Sequence, residues 1–247
     1  GCGLIGGSVA LAVRAAWPAC RLVAIDRGPV VEAARRLRVA DEGGEDLALA
    51  DGADLIVLAA PVRQNIALLQ DLVTAVNGTA IVHDVGSTKR AIVEAARSLP
   101  PRLRFVGGHP LAGAATGGVE AARADLFQGR PWILTPSAAC DHADVDRLMK
   151  TAAAVGALPR TMDPDAHDRL MAYLSHLPQL AVSALMQVVG ERAGSDGLSL
   201  AGSGDATVDT VVVNGTDLSD VVDVSKAGSQ VLTTGLHAVT RISGSEP

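Results

Sequence analysis

The segment Gly1-Cys2-Gly3-Leu4-Ile5-Gly6-Gly7-Ser8 decides the fold of this 247-residue chain, because its glycines have the G-x-G-x-x-G spacing of a phosphate-binding turn. Such glycines let backbone N–H groups approach a pyrophosphate, and the N-terminus of the following helix adds partial positive charge. The apolar, alanine-rich run 9–16 predicts that helix. The cofactor-binding residues predicted in this turn are Gly1, Gly3, Leu4, Ile5 and Gly6.

An acidic residue follows at the distance that ribose recognition requires. The strand-like segment 21–26 ends in Asp26, twenty residues after Gly6. A carboxylate there accepts hydrogen bonds from the adenosine ribose and repels a 2′-phosphate, which favours NAD over NADP. Arg27 leaves NADP open, because an arginine can receive that phosphate. The alternative is that Asp26 only begins a turn at a strand end.

Strand-like and helix-like segments alternate up to residue 162. The predicted strands are 21–26, 54–60, 79–85, 104–107, 131–135 and 157–162, and the predicted helices are 29–39, 62–76, 88–98, 117–127 and 142–155. Several strands are continuous apolar runs, which is typical of parallel strands covered on both faces. The pattern therefore predicts an α/β fold with a doubly wound, Rossmann-type parallel sheet. Its first, central strand is expected to be missing, because the chain begins at the first glycine without a Met, as in an N-terminal truncation.

The pattern changes twice after residue 162. Asp163 and Pro164 predict the start of a helix that runs from Ala166 to about Arg192 and is kinked by Pro178. Its apolar positions exceed one stripe, which predicts a helix bundle or a dimer interface. The last segment is rich in Val, Thr and Asp and predicts short strands. We expect a dinucleotide-binding domain at 1–162, a partial helical substrate or dimerisation domain at 163–204, and an atypical β-patterned tail at 205–247.

Composition narrows the classes of function. The chain has 21 basic and 27 acidic residues, a net charge of −6, and only 2% aromatic residues, which argues against nucleic acid as a partner. No apolar run is long enough to span a membrane. The three cysteines have no disulfide or metal-site spacing and suit a reducing cytoplasm. We expect a cytoplasmic protein with a small-molecule substrate, without a metal site and without nucleic-acid or membrane partners.

Four further motifs complete the pattern. They are Asp84-Val-Gly-Ser-Thr-Lys89, Gly107-Gly-His-Pro-Leu-Ala-Gly113, Asp163-Pro-Asp-Ala-His-Asp168 and Ser175-His-Leu-Pro-Gln179. With the glycine turn, they resemble the prephenate/arogenate dehydrogenase family of tyrosine biosynthesis over residues 1–195. The resemblance implies NAD(P)-dependent oxidative decarboxylation of prephenate to 4-hydroxyphenylpyruvate, or alternatively of arogenate to tyrosine. It also implies a homodimer if the helical domain is complete.

The candidate catalytic residues are His109 and Ser87. His109 follows two glycines at the end of a predicted strand, the edge of an open α/β sheet where ligands bind, and its ordinary pKa suits a base. The alternative is a loop histidine with a satisfied ring. The resemblance implies that His109 takes the hydroxyl proton as hydride leaves the ring and CO2 departs, and that Ser87 orients it. Ser87 is also expected to cap the next helix, and Lys89 to be exposed.

The resemblance places three substrate-binding residues, His167, Ser175 and Gln179, on the long helix. Ala60 and Pro61, at the end of the second predicted strand, complete the predicted cofactor site. His83 is expected to be a structural residue on a strand.

The chain departs from the family pattern at three places. Gln179 replaces a histidine found in many members and leaves prephenate or arogenate open, and Ala114-Ala115 replaces a polar pair. In the tail, Arg241 resembles the family's substrate-carboxylate arginine, but the β-like setting indicates chance similarity. The remaining alternatives are a truncated or chimeric inactive remnant, a β-hydroxyacid dehydrogenase without its catalytic lysine, and a calcium-binding β-repeat module at 205–247.

Overall fold

The structure is a computed structural model that divides into two compact units, Gly1–Asp168 and Arg169–Pro247. It describes residues 1–114, 116–138, 140–184, 188 and 192, together with the backbone of strands 209–213, 220–227, 230–234 and 240–243. Among these residues, no helix has both the length and the apolar character needed to cross a membrane.

The first unit alternates strands and helices as the sequence predicts. Its helices are α1 Leu4–Ala16, α2 Gly28–Arg36, α3 Val62–Ala75, α4 Arg90–Ala95, α5 His142–Ala154 and α6 Pro164–Met171. Its strands are β1 Val23–Ile25, β2 Glu42–Gly44, β3 Leu55–Leu58, β4 Ala80–Asp84, β5 Leu103–Pro110, β6 Pro131–Thr135 and β7 Leu158–Thr161. Asp163 caps α6, as predicted, by accepting a hydrogen bond from Ala166 N–H at 2.9 Å.

The sheet is of the expected Rossmann type but is mixed rather than wholly parallel. Its main part has the order β3-β4-β5-β6-β7, and β1 and β2 form a separate parallel pair. β5 pairs with β4 in parallel through its first half and with β6 antiparallel through Gly107–Pro110. Neighbouring residues of β4 face opposite ways, so that Ile81 lies in one buried cluster and Val82 in another. Helices therefore cover both faces, as a doubly wound fold requires.

The connection between β5 and β6 differs from the prediction. The helix predicted at 117–127 is absent, and among the described residues of this connection, 111–114 and 116–130, the structure has the short 3-10 turn Val119–Ala121 in its place. Gly118 has φ +93°, and the adjacent Leu126 and Phe127 are both buried, which a single helix face would not allow.

Strand β2 was not predicted, because Glu-Gly-Gly carries no strand signal. It forms by pairing with β1 in the register Ala24↔Gly43. A Cβ atom at residue 43 would overlap the carbonyl oxygen of Ala24, so glycine allows the two backbones to approach. Tertiary pairing decides this strand.

The second unit continues the chain from α6. A π-helical segment, Ala172–His176, immediately precedes Pro178, where the kink was expected, and residues 177–184 are helical. The tail forms β8 Asp209–Val213, β9 Asp220–Ala227, β10 Gln230–Thr234 and β11 Thr240–Ser243. They make an antiparallel sheet of order β11-β10-β9-β8, in keeping with the predicted β pattern. The domain boundary predicted at residue 204 lies outside the described residues.

His83 is buried on β4 and has a partner at each ring nitrogen. Its Nδ1 lies 2.8 Å from the carbonyl oxygen of Val106, and Trp132 Nε1–H donates to its Nε2 over 3.2 Å. Because an indole N–H only donates, Nε2 accepts and Nδ1 carries the proton. Burial lowers the pKa of His83 to about 4, although the Asp84 carboxylate opposes this shift. The neutral ring is thus part of the core.

We expect the free energy of unfolding to fall as the pH drops from 6.5 to 4. In that window the unfolded chain gains a proton on His83 and the folded chain does not, which is worth up to roughly 3 kcal/mol. Urea denaturation at pH 7, 6 and 5 measures the slope. The variant His83→Gln should have a flatter slope, because other titrating groups remain in both proteins. Equal slopes would contradict a neutral buried His83.

Candidate active site

The glycine turn, residues 1–6, lies between the ends of β1 and β3. The Gly1 nitrogen donates to Ile25 O at 3.1 Å, and a Cβ at Gly1 would lie 2.7 Å from the carbonyl carbon of Ala59. A Cβ at Gly6 would overlap the Gly1 carbonyl oxygen, whereas one at Gly3 would meet nothing within 4 Å. Gly3 is also the N-cap of α1, and no side chain caps this helix. The open side of the turn therefore presents a helix N-terminus able to accept an anion.

Asp26 holds this turn in place. Its Oδ2 accepts a hydrogen bond from Cys2 N–H at 2.7 Å, and its Oδ1 accepts one from Arg27 N–H, also at 2.7 Å. The Arg27 side chain is 86% exposed, with Nε 4.0 Å from Asp26 Oδ1. The carboxylate thus lies beside the turn, as a ribose-binding acid must, and retains lone pairs for further donors.

The end of β3 is braced by a buried amide. Asn65 Oδ1 accepts from Ala60 N–H at 3.1 Å, and Asn65 Nδ2 donates to Leu58 O at 3.1 Å. Pro61 is the N-cap of α3. These bonds set the backbone path of Ala60 and Pro61 next to Gly1.

A buried ion pair joins the carboxyl ends of β4 and β5. Lys89, expected to be exposed, is fully buried, and its Nζ donates to Asp84 Oδ2 and to Gly108 O, the latter at 2.7 Å. Asp84 also accepts from Gly86 N–H at 2.9 Å and from Gly108 N–H at 3.2 Å. Burial lowers the pKa of Lys89, while the Asp84 carboxylate raises it. The prediction failed because charge alone said nothing about the acceptors that tertiary structure supplies.

His109 lies within β5 rather than beyond it, and its ring is buried. His109 Nδ1 is 3.0 Å from His167 Nε2, and His167 Nδ1 is 2.8 Å from Asp168 Oδ1. We call these three side chains the histidine–aspartate triad. Both ring nitrogens of His167 have protein partners, so a direct polar contact between His167 and a substrate would require one of these bonds to break.

Asp168, and not Ser87 as predicted, caps the N-terminus of α4. Its Oδ1 accepts from Lys89 N–H at 2.7 Å and its Oδ2 from Arg90 N–H at 2.9 Å, at the start of α4, whose N-cap is Lys89. Ser87 lies partly buried in the loop before α4. Its predicted contact with His109 stays a prediction.

The other predicted substrate residues lie in the second unit. Ser175 is in the π-helical segment and Gln179 in the helical stretch that follows, and both are partly buried. Arg241 lies on β11, where only the backbone is described. Their roles at a substrate stay predictions.

Sequence reasoning missed four residues of this region, namely Asn65, Asp84, Lys89 and Asp168. Three of them, Asp84, Lys89 and Asp168, stood inside motifs already singled out. Lys89 precedes a helix whose dipole disfavours a cation, which indicated a role other than helix stability but named no partner. Asp168 follows His167 directly, and no signal in the sequence pointed to α4 as its target.

Comparison with known proteins agrees with these features. Residues 9–158, more than half of the chain, match the family model "Prephenate dehydrogenase, nucleotide-binding domain". The prephenate dehydrogenase of Bacillus subtilis is 35% identical over 190 residues, which are 75% of this chain and 51% of that protein. The chain therefore spans about half the length of this curated relative.

Two solved structures are similar over most of the chain. Prephenate dehydrogenase from Aquifex aeolicus, in complex with hydroxyphenyl propionate and NAD+, has a TM-score of 0.76 at 29% identity, covering 83% of this chain and 72% of that one. Synechocystis arogenate dehydrogenase has a TM-score of 0.70 at 34% identity and covers 83% of this chain and 74% of that one. The identities exceed the level at which only the fold is shared.

Replacing Lys89 should destabilise the fold strongly. We expect Lys89→Met to lower the free energy of unfolding by about 3–5 kcal/mol, because it leaves the Asp84 carboxylate buried without its cation. The matched control, Arg90→Met, removes an 80% exposed cation and should cost at most about 1 kcal/mol. Urea denaturation at pH 7 compares the two variants, and equal losses would contradict the importance of the buried pair.

Proposed function

The chain belongs to the prephenate dehydrogenase family, and we propose that it oxidatively decarboxylates prephenate to 4-hydroxyphenylpyruvate with NAD as cofactor. The observation that carries this proposal is the position of His109 on β5. In the sheet β5 lies next to β4, and β4 lies next to β3, whose end contacts the glycine turn. Adjacent strands are about 4.8 Å apart, so the strand that carries His109 lies roughly 10 Å from β3, and the turn lies beyond β3, between β3 and β1. That span suits a dinucleotide whose pyrophosphate rests at the turn and whose nicotinamide reaches His109.

The residues of the turn fit such a cofactor. Gly3 leaves open space over the uncapped N-terminus of α1, and Asp26 lies beside it to accept ribose hydroxyl groups. The Aquifex relative was solved with NAD+. We propose NAD as the preferred cofactor because the Asp26 carboxylate repels a 2′-phosphate. NADP is the second candidate, because the exposed Arg27 side chain could reach that phosphate.

In the proposed reaction, a dinucleotide bound at this site supplies the acceptor for the hydride that leaves the substrate ring. His109 accepts the proton of the ring hydroxyl, while Ser87 orients the imidazole and the hydroxyl. Loss of CO2 leaves an aromatic phenolate, which takes the proton back from His109 to give the hydroxyl of the product, and formation of the aromatic ring supplies the driving force. The protein's contribution is therefore alignment of the reacting groups in a buried setting.

Two substrates are compatible with the site. Prephenate is the first candidate, because the family model and the Bacillus relative are named for it. Arogenate is the second, because Gln179 is a neutral amide where many relatives have a histidine, and because the Synechocystis protein is an arogenate dehydrogenase. We infer that the substrate is bound by Ser175 and Gln179, and that His167 contributes to substrate binding through its contact with His109.

We also propose a cytoplasmic homodimer that binds neither nucleic acid nor membrane. The second unit exposes Tyr173, Leu177 and Leu180, which are 57–70% exposed and spaced four and three residues apart. That spacing puts apolar side chains along one face of a helix, as at an interface between subunits.

Filling the open space at Gly3 should block the cofactor without unfolding the protein. We expect Gly3→Ala to weaken NADH binding at least tenfold, because its methyl group occupies the pyrophosphate approach, and to cost about 1 kcal/mol of stability or less. Titration by NADH fluorescence measures binding, and thermal denaturation measures stability. Gly78→Ala, at the opposite edge of the sheet, should leave the affinity unchanged. Unchanged binding by Gly3→Ala would contradict this cofactor site.

Activity tests the reaction itself. We expect NADH production when the protein is given NAD with prephenate or, separately, with arogenate. His109→Asn should lower kcat about 100-fold or more while NADH still binds, because Asn cannot accept the proton. His142→Asn, an exposed histidine at the start of α5, is the matched control and should be as fast as the parent.

Two results would count against the proposal. A folded protein that binds NADH but oxidises neither substrate would contradict the proposed reaction. A His109→Asn variant as fast as the parent would remove His109 from the mechanism.

A further inference from the structure

We propose that Asp168 and His167 are positioning residues that keep the proton of neutral His109 on Nδ1, so that Nε2 is the nitrogen that accepts the substrate proton. This inference rests on the proposed function for its consequence in catalysis, but its structural content can be measured on the protein alone. Asp168 has a second role: its carboxylate, which also holds His167, anchors the loop that carries Ser87.

The first step is the charge state of Asp168. Burial alone would raise the pKa of this carboxyl, but the N–H groups of Arg90 and Lys89 and the His167 ring all donate to it, and together they hold the pKa of Asp168 below its ordinary value. Asp168 is therefore a carboxylate at neutral pH. An ionised carboxylate only accepts hydrogen bonds, so His167 Nδ1 must donate.

The second step follows along the triad. Burial lowers the pKa of His167, opposed by Asp168, so the ring is neutral at pH 7 and carries one ring proton, on Nδ1. His167 Nε2 then has a lone pair, and His109 Nδ1, 3.0 Å away, must be the donor. In a neutral His109 the lone pair is consequently on Nε2. One carboxylate therefore determines the tautomer of both rings, because Asp168 bonds to His167 directly and acts on His109 through His167.

The charged groups near His167 act on its pKa in both directions. Lys89, at the start of α4, lowers the pKa of His167, while Asp84 on β4 and Asp168 on α6 raise it. Lys89 and Asp84 are paired with each other, whereas Asp168 contacts the His167 ring directly. Asp168 can thus stabilise the positive charge that appears on the rings when His109 accepts a proton.

The third step concerns Ser87. Asp168 accepts from the N–H groups of Lys89 and Arg90, two and three residues after Ser87, while it holds His167. The loop with Ser87 and the ring of His109 therefore have a common anchor. A cap whose only task is to begin α4 would not need a bond to His167, and an ordinary N-cap comes from the residue just before its own helix.

The direct test is the protonation of the His109 ring nitrogens, measured by long-range 1H–15N NMR at pH 7 without substrate or cofactor. We expect Nδ1 of His109 to carry the proton in the parent protein. In His167→Leu the acceptor is lost, and we expect His109 to shift toward the tautomer protonated at Nε2, which free histidine prefers. His167→Gln can still accept from Nδ1 through its amide oxygen and should restore the parent tautomer. An Nε2-protonated His109 in the parent, or no shift in a folded His167→Leu protein, would overturn the inference.

The kinetic consequence has its own readout. Asp168→Asn should lower kcat at least tenfold with a small change in KM, and the acid limb of the pH profile of kcat should move down by about one unit, because the protonated rings lose their carboxylate. The matched control Asp165→Asn removes an exposed acid from the same helix and should change neither. A purely structural role of Asp168 predicts lower stability with an unmoved pH profile, and that result would overturn the inference.

The two proposals fail in different ways. A protein that has the expected His109 tautomer but oxidises neither substrate contradicts the proposed function and leaves the triad intact. An active protein whose His109 tautomer ignores His167 contradicts the positioning role alone.

Discussion

The buried pair of Lys89 and Asp84 is the constraint on which the site depends. A buried ammonium group is stable only if it donates hydrogen bonds to nearby acceptors. Here Lys89 Nζ donates to the Asp84 carboxylate and to the Gly108 carbonyl. Asp84 simultaneously accepts from the backbone of Gly86 and Gly108. Four residues at the carboxyl ends of β4 and β5, namely Asp84, Gly86, Lys89 and Gly108, are thereby held in one arrangement next to His109.

The same arrangement explains why small residues surround the site. A Cβ at Gly107 would lie 2.5 Å from Thr135 Oγ1, and one at Gly108 would overlap the His83 ring. β5 can therefore pass between β4 and β6 only with glycine at these positions. The neutral His83 ring, bonded to Val106 and Trp132, fills the space beside them. The close packing of Gly107 and Gly108 against Thr135 and the neutral His83 ring therefore helps to position the next residue, His109.

Asp168 extends this network to a second element. Its carboxylate begins α4 and orients His167, so that the loop with Ser87, the ring of His109 and helix α6 share one acceptor. In this chain the fold provides the glycine turn and the strand edge, and the network holds the His109 imidazole at that edge. The glycine turn and the histidine–aspartate triad are therefore separate features, and neither sequence motif contains the hydrogen bonds that hold the triad together.

The sequence by itself determined the α/β class, the order of its main strands and helices, and the glycine turn, because these depend on local spacing and hydrophobic period. It did not determine β2, the antiparallel β5–β6 pair or the loss of the helix at 117–127, since each depends on strand pairing between distant residues. Tertiary structure alone decided that Lys89 is buried and that Asp168 reaches α4, 78 and 79 residues away along the chain. A buried charge is stable only beside acceptors that the whole fold brings together, and no local pattern records them.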